Sequence, residues 1–139
     1  MTNIEYTKNL NEIDTEMLNG FFVGWPNPPS TTMHLKILKN AYCSYIVIDK
    51  NCGKVVGFVN AISDGVLTAY IPLLEVLPDY KGNEIGSEFI KLMLEELKDI
   101  YMVDICHDKE LIPYYARFEP YQSYASVFRN YEAQSGLLH

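Results

Sequence analysis

Residues 74–87 read LEVLPDYKGNEIGS, an apolar strand-like run followed by a polar loop and the start of a helix. The N–H groups of such a loop converge on one concavity, and the helix N-terminus adds partial positive charge there. Lys81 brings a full positive charge to the entrance of the loop. The stretch lacks the Gly-Lys-Ser/Thr sequence of a P-loop. It therefore predicts a phosphate or pyrophosphate site that is not of the P-loop type.

The segments before this loop are rich in β-branched and aromatic residues, which predicts three strands. They span residues 42–49, 54–63 and 66–77. The turns between them fall at residues 50–53 and at Asp64-Gly65, a dipeptide typical of tight turns. The three segments are therefore predicted to form an antiparallel meander.

The remaining elements are predicted from the helical spacing of apolar residues or from short apolar runs. Before the meander they are a short strand at residues 3–8, a helix at 11–22 and a helix from Ser30, its N-cap, through about residue 38. After the meander they are a helix at 85–98, a strand at 101–106, a helix at 109–118 and a final strand at 124–129. This order predicts an α+β fold with a mixed sheet, and we expect residues 1–139 to form a single domain.

Composition excludes several classes of partner. The chain has 139 residues and a formal net charge of −7, which argues against nucleic acid because a phosphate backbone requires a basic face. The sequence has no apolar stretch near the roughly 20 residues of a membrane helix, and its N-terminus does not resemble a signal peptide. Cys43, Cys52 and Cys106 lack metal-ligand spacing. We therefore expect a cytoplasmic protein with reduced thiols, no metal site and no membrane partner.

Residues 76–88 resemble the acetyl-CoA signature of the GNAT superfamily of N-acetyltransferases. That signature is Arg/Gln-x-x-Gly-x-Gly/Ala after a hydrophobic strand, often with Pro-x-Tyr before it, and it aligns with residues 81–86. Residues 113–118, PYYARF, resemble the Phe-Tyr-x-x-x-Gly-Phe helix segment of the same family. The chain departs from the family pattern at four positions: Lys81 replaces Arg or Gln, Glu84 replaces the first glycine, Asp108 replaces a common Asn, and Glu119 replaces the helix-ending glycine.

The resemblance implies a GNAT-like α+β fold, with a mixed, mostly antiparallel sheet of about six to seven strands flanked by about four helices. It also implies acetyl-CoA as the acyl donor, with its pantetheine arm in a gap beside the strand that ends at the signature. The residues implied to bind it are Leu74, Val76, Leu77, Lys81, Gly82, Asn83, Glu84, Ile85, Gly86, Ser87 and Asp108.

The chemistry of acetyl transfer needs a base and an acid. An attacking amine must be neutral, so a base has to remove its proton, and the departing thiolate is stabilised by a proton donor. By motif position the resemblance implies Tyr115 as this donor, with Tyr114 as the second choice. Glu75 is the predicted base, and Asp104 and His107 are alternatives.

The acceptor site is predicted from the aromatic residues before the second helix. In this family that region borders the acceptor, which implies that Phe22 and Trp25 line it. A small-molecule amine and a peptide amine are both compatible with the fold.

The predicted function is therefore acetyl transfer from acetyl-CoA to a primary amine by direct attack in a ternary complex. The alternative is a non-catalytic acyl-CoA-binding regulatory domain of the same fold, because Glu84 places a carboxylate beside the pyrophosphate loop. A homodimer formed through an exposed C-terminal strand is also compatible with the sequence.

Overall fold

A computed structural model describes residues 3–137, which contain one five-stranded sheet in the order β1-β2-β3-β4-β5. The strands are β1 (Ile4–Thr7), β2 (Cys43–Asp49), β3 (Lys54–Ser63), β4 (Thr68–Val76) and β5 (Met102–Ile105). Neighbours from β1 to β4 are antiparallel, whereas β4 and β5 run parallel. The predicted meander is confirmed as β2, β3 and β4.

The α-helices are α1 (Thr31–Asn40), α2 (Ile85–Glu96) and α3 (Ile112–Ala116). Ser30 caps α1 as predicted, and its side-chain oxygen accepts a hydrogen bond from the backbone N–H of Met33 at 3.2 Å. Short 3-10 turns lie at Thr15–Leu18, Pro78–Tyr80, Lys109–Leu111, Tyr131–Ala133 and Ser135–Leu137. The expected six to seven strands and four helices are wrong in number, because residues 3–137 form five strands and three α-helices.

The sheet separates two apolar clusters, one on each face. On the α2 face, Phe89 and Met93 of α2 are fully buried against the sheet. On the α1 face, Phe58 of β3 packs with Leu38 of α1 and with Leu18 from the segment before it. Each such side chain stabilises the fold by about 1.5–3 kcal/mol when fully buried. Burial of apolar side chains therefore holds the covering elements against both faces of the sheet.

The helix predicted at residues 11–22 is not formed. Only Thr15–Leu18 is helical there, and it is a 3-10 turn capped by the side chain of Asp14. Gly20 and Phe22 have φ values of 98° and 62°, in the left-handed region that ends a helix. The apolar spacing correctly indicated buried positions, since Leu18 and Phe22 are buried. These residues lie on an irregular segment and not on an α-helix.

The strand predicted at residues 124–129 is also not formed, since residues 120–130 are neither helix nor strand. A strand-forming sequence only fits a pleated surface well, and its backbone groups still need a neighbouring strand to bond with. The preceding helix is shorter than predicted. Helix α3 ends at Ala116 instead of residue 118. Glu119 takes a φ of 58° at the position where the family commonly has glycine.

Within residues 3–137, none of the helices combines the length and the apolar character that crossing a membrane requires.

Candidate active site

A gap opens between β4 and β5. Their pairing runs only from Thr68 opposite Met102 to Ile71 opposite Ile105, while β4 continues to Val76. The N–H of Leu77 donates to the carbonyl of Val56 on β3 at 2.9 Å. Because backbone groups alternate sides along a strand, those of residues 74 and 76 point the other way, into the gap. The gap therefore exposes peptide donors and acceptors at two of the predicted pantetheine-binding residues.

A β-bulge in β4 sets which side chains face which layer. The register shifts between Asn60 and Ile62 of β3, where one residue of β3 lies opposite two of β4. The side-chain oxygen of Asn60 accepts the Leu73 N–H at 3.2 Å and so holds the bulged segment. After the bulge, Leu74 packs on the α2 face and Glu75 points to the α1 face.

The loop after β4 is held from both sides. The hydroxyl of Tyr80 donates to a carboxylate oxygen of Asp49 at 2.6 Å, and this bond raises the pKa of Tyr80 to about 12. The side-chain amide of Asn83 donates to the Tyr80 carbonyl at 3.0 Å. Gly82 and Glu84 have φ values of 84° and 61°. The left-handed conformation costs a non-glycine residue about 1–3 kcal/mol, so Glu84 is strained where the family has glycine.

The N-terminus of α2 keeps three backbone donors available. Glu84 makes no side-chain capping bond, and the first intrahelical bond runs from the Glu88 N–H to the Glu84 carbonyl at 3.0 Å. The N–H groups of Ile85, Gly86 and Ser87 therefore lack helical acceptors. A Cβ atom on Gly86 would lie 3.2 Å from the Tyr114 hydroxyl oxygen, which leaves little room for a side chain. This is the geometry of an anion site.

Arg117 forms an ion pair with Glu84 at the start of α2. Its Nη1 donates to the Ser87 hydroxyl at 2.9 Å and to the Glu84 carboxylate at 3.2 Å. Its guanidinium also lies over the Tyr114 ring, 4.7 Å from the centroid, and the hydroxyls of Tyr114 and Ser87 are 3.1 Å apart. The negative charge at the helix start is thus matched by a positive one. Sequence reasoning missed Arg117, although its place inside the second motif was an available signal.

Tyr115, the predicted proton donor, is the buried residue of α3. It is 9% exposed, and its ring stacks on His107 at 4.4 Å between centroids. Burial raises the pKa of Tyr115, and the neighbouring Tyr114 adds to the effect. The hydroxyl is therefore protonated at neutral pH. Tyr114, the second choice, instead has its hydroxyl beside Ser87.

Glu75, the predicted base, accepts backbone N–H groups with both oxygens. Phe22 donates at 2.8 Å and Val23 at 3.3 Å, so the carboxylate is fixed against the loop before α1. Trp25 lies next to Phe22, with 5.0 Å between ring centroids. The structure thus brings Glu75, Phe22 and Trp25 together. Phe22 itself is only 5% exposed, whereas Trp25 is 49% exposed.

The other predicted residues lie on β5 or shortly after it. Asp108 follows β5 and begins the 3-10 turn before α3. Asp104, an alternative base, is exposed on β5 opposite Tyr70, and His107 is half-buried against Tyr115. The structure tests none of the assigned roles, which stay predictions. Within residues 3–137, the His, Cys, Asp and Glu side chains form no group of three that could hold a metal ion.

A surface hollow of about 310 Å³ lies on the α1 face. Met33 and Ile37 of α1 line it together with Asn60 and Ile62 of β3. Asn60 links the hollow to the bulge, because its side chain also holds the Leu73 N–H. A second hollow of about 250 Å³, near Lys8 and Tyr42, lies away from the gap.

Known proteins share the sequence pattern and the fold of this chain. A sequence profile of the Acetyltransferase (GNAT) family matches residues 10–119. No protein of curated function matches the sequence. A crystal structure from Deinococcus radiodurans R1, provisionally named an acetyltransferase, is 39% identical with a TM-score of 0.92, covering 97% of this chain and 94% of its own.

Two more distant structures share the fold. A GNAT family acetyltransferase from Streptococcus pneumoniae TIGR4 is 22% identical with a TM-score of 0.71, over 94% of this chain and 98% of its own. Glucosamine-6-phosphate N-acetyltransferase from Arabidopsis thaliana is 9% identical with a TM-score of 0.69, over 93% and 99%. The profile spans most of the chain and the Deinococcus structure nearly all of it, and the chain therefore belongs to the GNAT acetyltransferase family.

Proposed function

We propose that this chain is a cytoplasmic N-acetyltransferase that moves the acetyl group of acetyl-CoA to a primary amine by direct attack in a ternary complex. One observation carries the proposal. Backbone groups of Leu74 and Val76 face the gap beside β4, and the loop after this strand leads to the free N–H groups that begin α2. The backbone groups of β4 can bond the amides of a pantetheine arm, and the N–H groups of α2 can bond the pyrophosphate that follows the arm.

The residues present fit acetyl-CoA. The three free N–H groups of α2 would hold the pyrophosphate, and Lys81 and Arg117 would add positive charge. The lack of a side chain at Gly86 lets the Tyr114 hydroxyl lie close to the first turn of α2. Leu77 follows β4, and Asp108 precedes the 3-10 turn that comes after β5. Acetyl-CoA would supply an activated acetyl thioester.

The proton transfers are assigned to Glu75 and Tyr115. A carboxylate has about four lone-pair sites, so Glu75 can accept an amine proton, directly or through water, while it keeps its two backbone bonds. As the C–N bond forms and the C–S bond breaks, the sulfur takes a proton from Tyr115. The raised pKa of Tyr115 keeps that proton in place until then. A gap N–H of β4 would polarise the thioester carbonyl.

The acceptor is proposed to approach from the α1 face. Glu75, Trp25 and the hollow beside Asn60 lie on that face. The net charge of −7 favours a cationic amine through long-range attraction. Small amines and peptide amines stay equally open as acceptors. We propose no nucleic-acid or membrane partner.

Calorimetric titration tests the proposal first. Acetyl-CoA and CoA are expected to bind one-to-one with a dissociation constant in the micromolar range, and ATP much more weakly. Thiol release is then measured with a panel that contains a polyamine, an aminoglycoside and a short peptide with a free N-terminus. Failure of both CoA species to bind would overturn the cofactor assignment.

The regulatory alternative is not favoured by the family or by its structural neighbours, which bear acetyltransferase names. It makes a distinct prediction, namely that acetyl-CoA binds while no amine in the panel produces free thiol above the uncatalysed rate. The two functions are thus separated by the same pair of measurements.

A further inference from the structure

The side chain of Asn60 has hydrogen-bonding capacity that the fold does not use. Asn60 is 2% exposed, and its Oδ1 accepts the Leu73 N–H at 3.2 Å. Because that partner is a donor, Oδ1 is directed at β4, and the two donors on Nδ2 point elsewhere. Nδ2 donates no hydrogen bond to any of residues 3–137. Since Asn60 also lines the hollow beside α1, these donors are available to a ligand there.

The rest of the hollow is mainly apolar. Met33 and Ile37 of α1 line it with Ala41 and with Ile62 of β3. Lys36 lines it as well, and its positive charge disfavours a second cation in the same place. Sites for small molecules are about 300–1,000 Å³, and this hollow is at the lower end with about 310 Å³. It therefore suits one apolar side chain rather than a large or doubly cationic molecule.

The hollow begins one step along the sheet from Glu75, the proposed base. Glu75 is paired with Phe58, and Leu73 with Asn60, so Glu75 and Asn60 are diagonal neighbours. Both side chains point to the α1 face. Diagonal neighbours across two strands are about 7–8 Å apart.

An α-aminoacyl group has the right dimensions to join the two side chains. By standard bond lengths, its amine nitrogen and carbonyl oxygen are about 3 Å apart. A hydrogen bond of about 2.9 Å at each end gives a bent path that spans about 7–8 Å. The amine would then lie at Glu75 and the carbonyl oxygen at Nδ2 of Asn60, with the side chain of the ligand beside the hollow.

We propose that the acceptor is an α-aminoacyl compound with an apolar side chain, bound with its amine at Glu75, its carbonyl oxygen on Nδ2 of Asn60 and its side chain in the hollow. The role of Glu75 in this inference rests on the proposed function. Asn60 sets the preference for a carbonyl group, and Ile62 contributes to the preference for an apolar side chain. A free amino acid and the N-terminus of a peptide share this chemistry.

Thiol release with matched acceptors tests the apolar subsite. The kcat/KM for leucinamide is expected to exceed that for glycinamide by about 10-fold or more. Ile62→Ser is expected to reduce this ratio several-fold. Leu94→Ser is the control, since it removes a leucine that is 39% exposed on α2, and it is expected to leave the ratio unchanged. Leucine and a leucyl dipeptide, assayed beside leucinamide, distinguish a free amino acid from a peptide N-terminus.

Asn60→Asp tests the carbonyl contact. It keeps an oxygen for the Leu73 N–H and removes the Nδ2 donors. The reference acceptor is 3-methylbutylamine, which has the leucine side chain but no carbonyl. The preference for leucinamide over this amine is expected to fall by about 10-fold in the variant. The ratio is compared between wild type and variant because the two amines differ in basicity, and an equal ratio in both proteins would overturn the role of Asn60.

Nuclear magnetic resonance gives a readout that needs no turnover. The Asn60 side-chain amide signals and the Ile62 methyl signals are followed as leucinamide is added to the full chain, with and without CoA. Both sets are expected to shift. Shifts without thiol release from any amine would support the subsite and overturn the proposed function. Thiol release without these shifts, and without a preference for leucinamide over glycinamide, would overturn this inference and leave the proposed function intact.

Discussion

The segment from β4 to α2 and the C-terminal arm (residues 119–137) differ in the contacts that set their conformation. The first is set by nearby residues: Gly82 bends the loop, Asn83 bonds back to Tyr80, and α2 begins at Ile85. The arm has strand-forming residues but no neighbour that would make them a strand. Short-range contacts suffice for a loop and a helix start, whereas a strand depends on a partner far away in sequence or in another molecule.

The two regions share one support, the loop before α1. Phe22 and Val23 donate to Glu75 of β4, and Asn27 accepts from Gly136 of the arm. A change in this loop is therefore expected to reach both regions, while a change within one region is expected to stay there.

The largest effect is expected from Tyr115→Phe. It removes the proposed proton donor but keeps the ring that stacks on His107. We expect kcat to fall by about 100-fold or more, with the dissociation constant of acetyl-CoA changed less than about twofold. Steady-state kinetics and calorimetry measure the two quantities. Tyr114→Phe is the matched control, and an equal loss of kcat in both variants would contradict the assignment.

The next effect is the pH dependence of stability that His34 causes beside the shared loop. His34 of α1 is 1% exposed among Phe21, Phe22 and Phe58, its Nε2 has no hydrogen-bond partner among residues 3–137, and burial lowers its pKa to about 4. The unfolded chain binds a proton at this site below about pH 6.5. Between those values the unfolded state holds more protons, so stability falls as the pH decreases.

The loss is expected to reach about 2–3 kcal/mol near pH 4. Urea unfolding at a series of pH values measures it, with His34→Leu as the reference that lacks the titrating group. Wild type and His34→Leu with parallel stability curves from pH 7 to 4 would show that His34 contributes nothing to acid sensitivity.

A smaller effect is expected from Gly136→Ala, which acts on the arm alone. The new methyl group would meet the Asn27 backbone, which cannot move as a side chain can. We expect a loss of about 1–2 kcal/mol, in the range of an overpacked contact. Chemical denaturation compares it with Ser135→Ala. Unchanged acetyl-CoA binding is expected, and weakened binding would mean that the arm and the cofactor site are not independent.

The smallest effect is expected at the ion pair beside the helix start. Arg117→Ala leaves the Glu84 carboxylate unmatched, so acetyl-CoA binding is expected to weaken by about tenfold, or about 1.4 kcal/mol. Glu84→Gly in the same background is expected to recover most of that loss. Calorimetry on the two single variants and the double variant gives the coupling. Strict additivity would show that Glu84 and Arg117 act separately on the ligand.

Much of the site could be predicted because its signals are local. The glycine-containing loop and the start of α2 follow from residue types and helical spacing, and Ile85 begins the helix as predicted. The family resemblance supplied the roles of Tyr115 and Glu75, which stay predictions. Arg117 was not predicted, because its contacts with Glu84 and Ser87 join residues about 30 positions apart. Single-sequence patterns contain no such distances.

The sequence by itself determined the meander, the helix that follows it and the glycine-containing loop between them. Those features rest on alternation, helical periodicity and glycine, which act within a few residues. The tertiary structure decided three things: that Ile13, Leu18 and Phe22 are buried without forming the predicted helix, that β4 continues beyond its pairing with β5 to leave a gap, and that residues 124–129 form no strand within residues 3–137. Each depends on which distant segment satisfies the backbone hydrogen bonds, and only the folded chain fixes that choice.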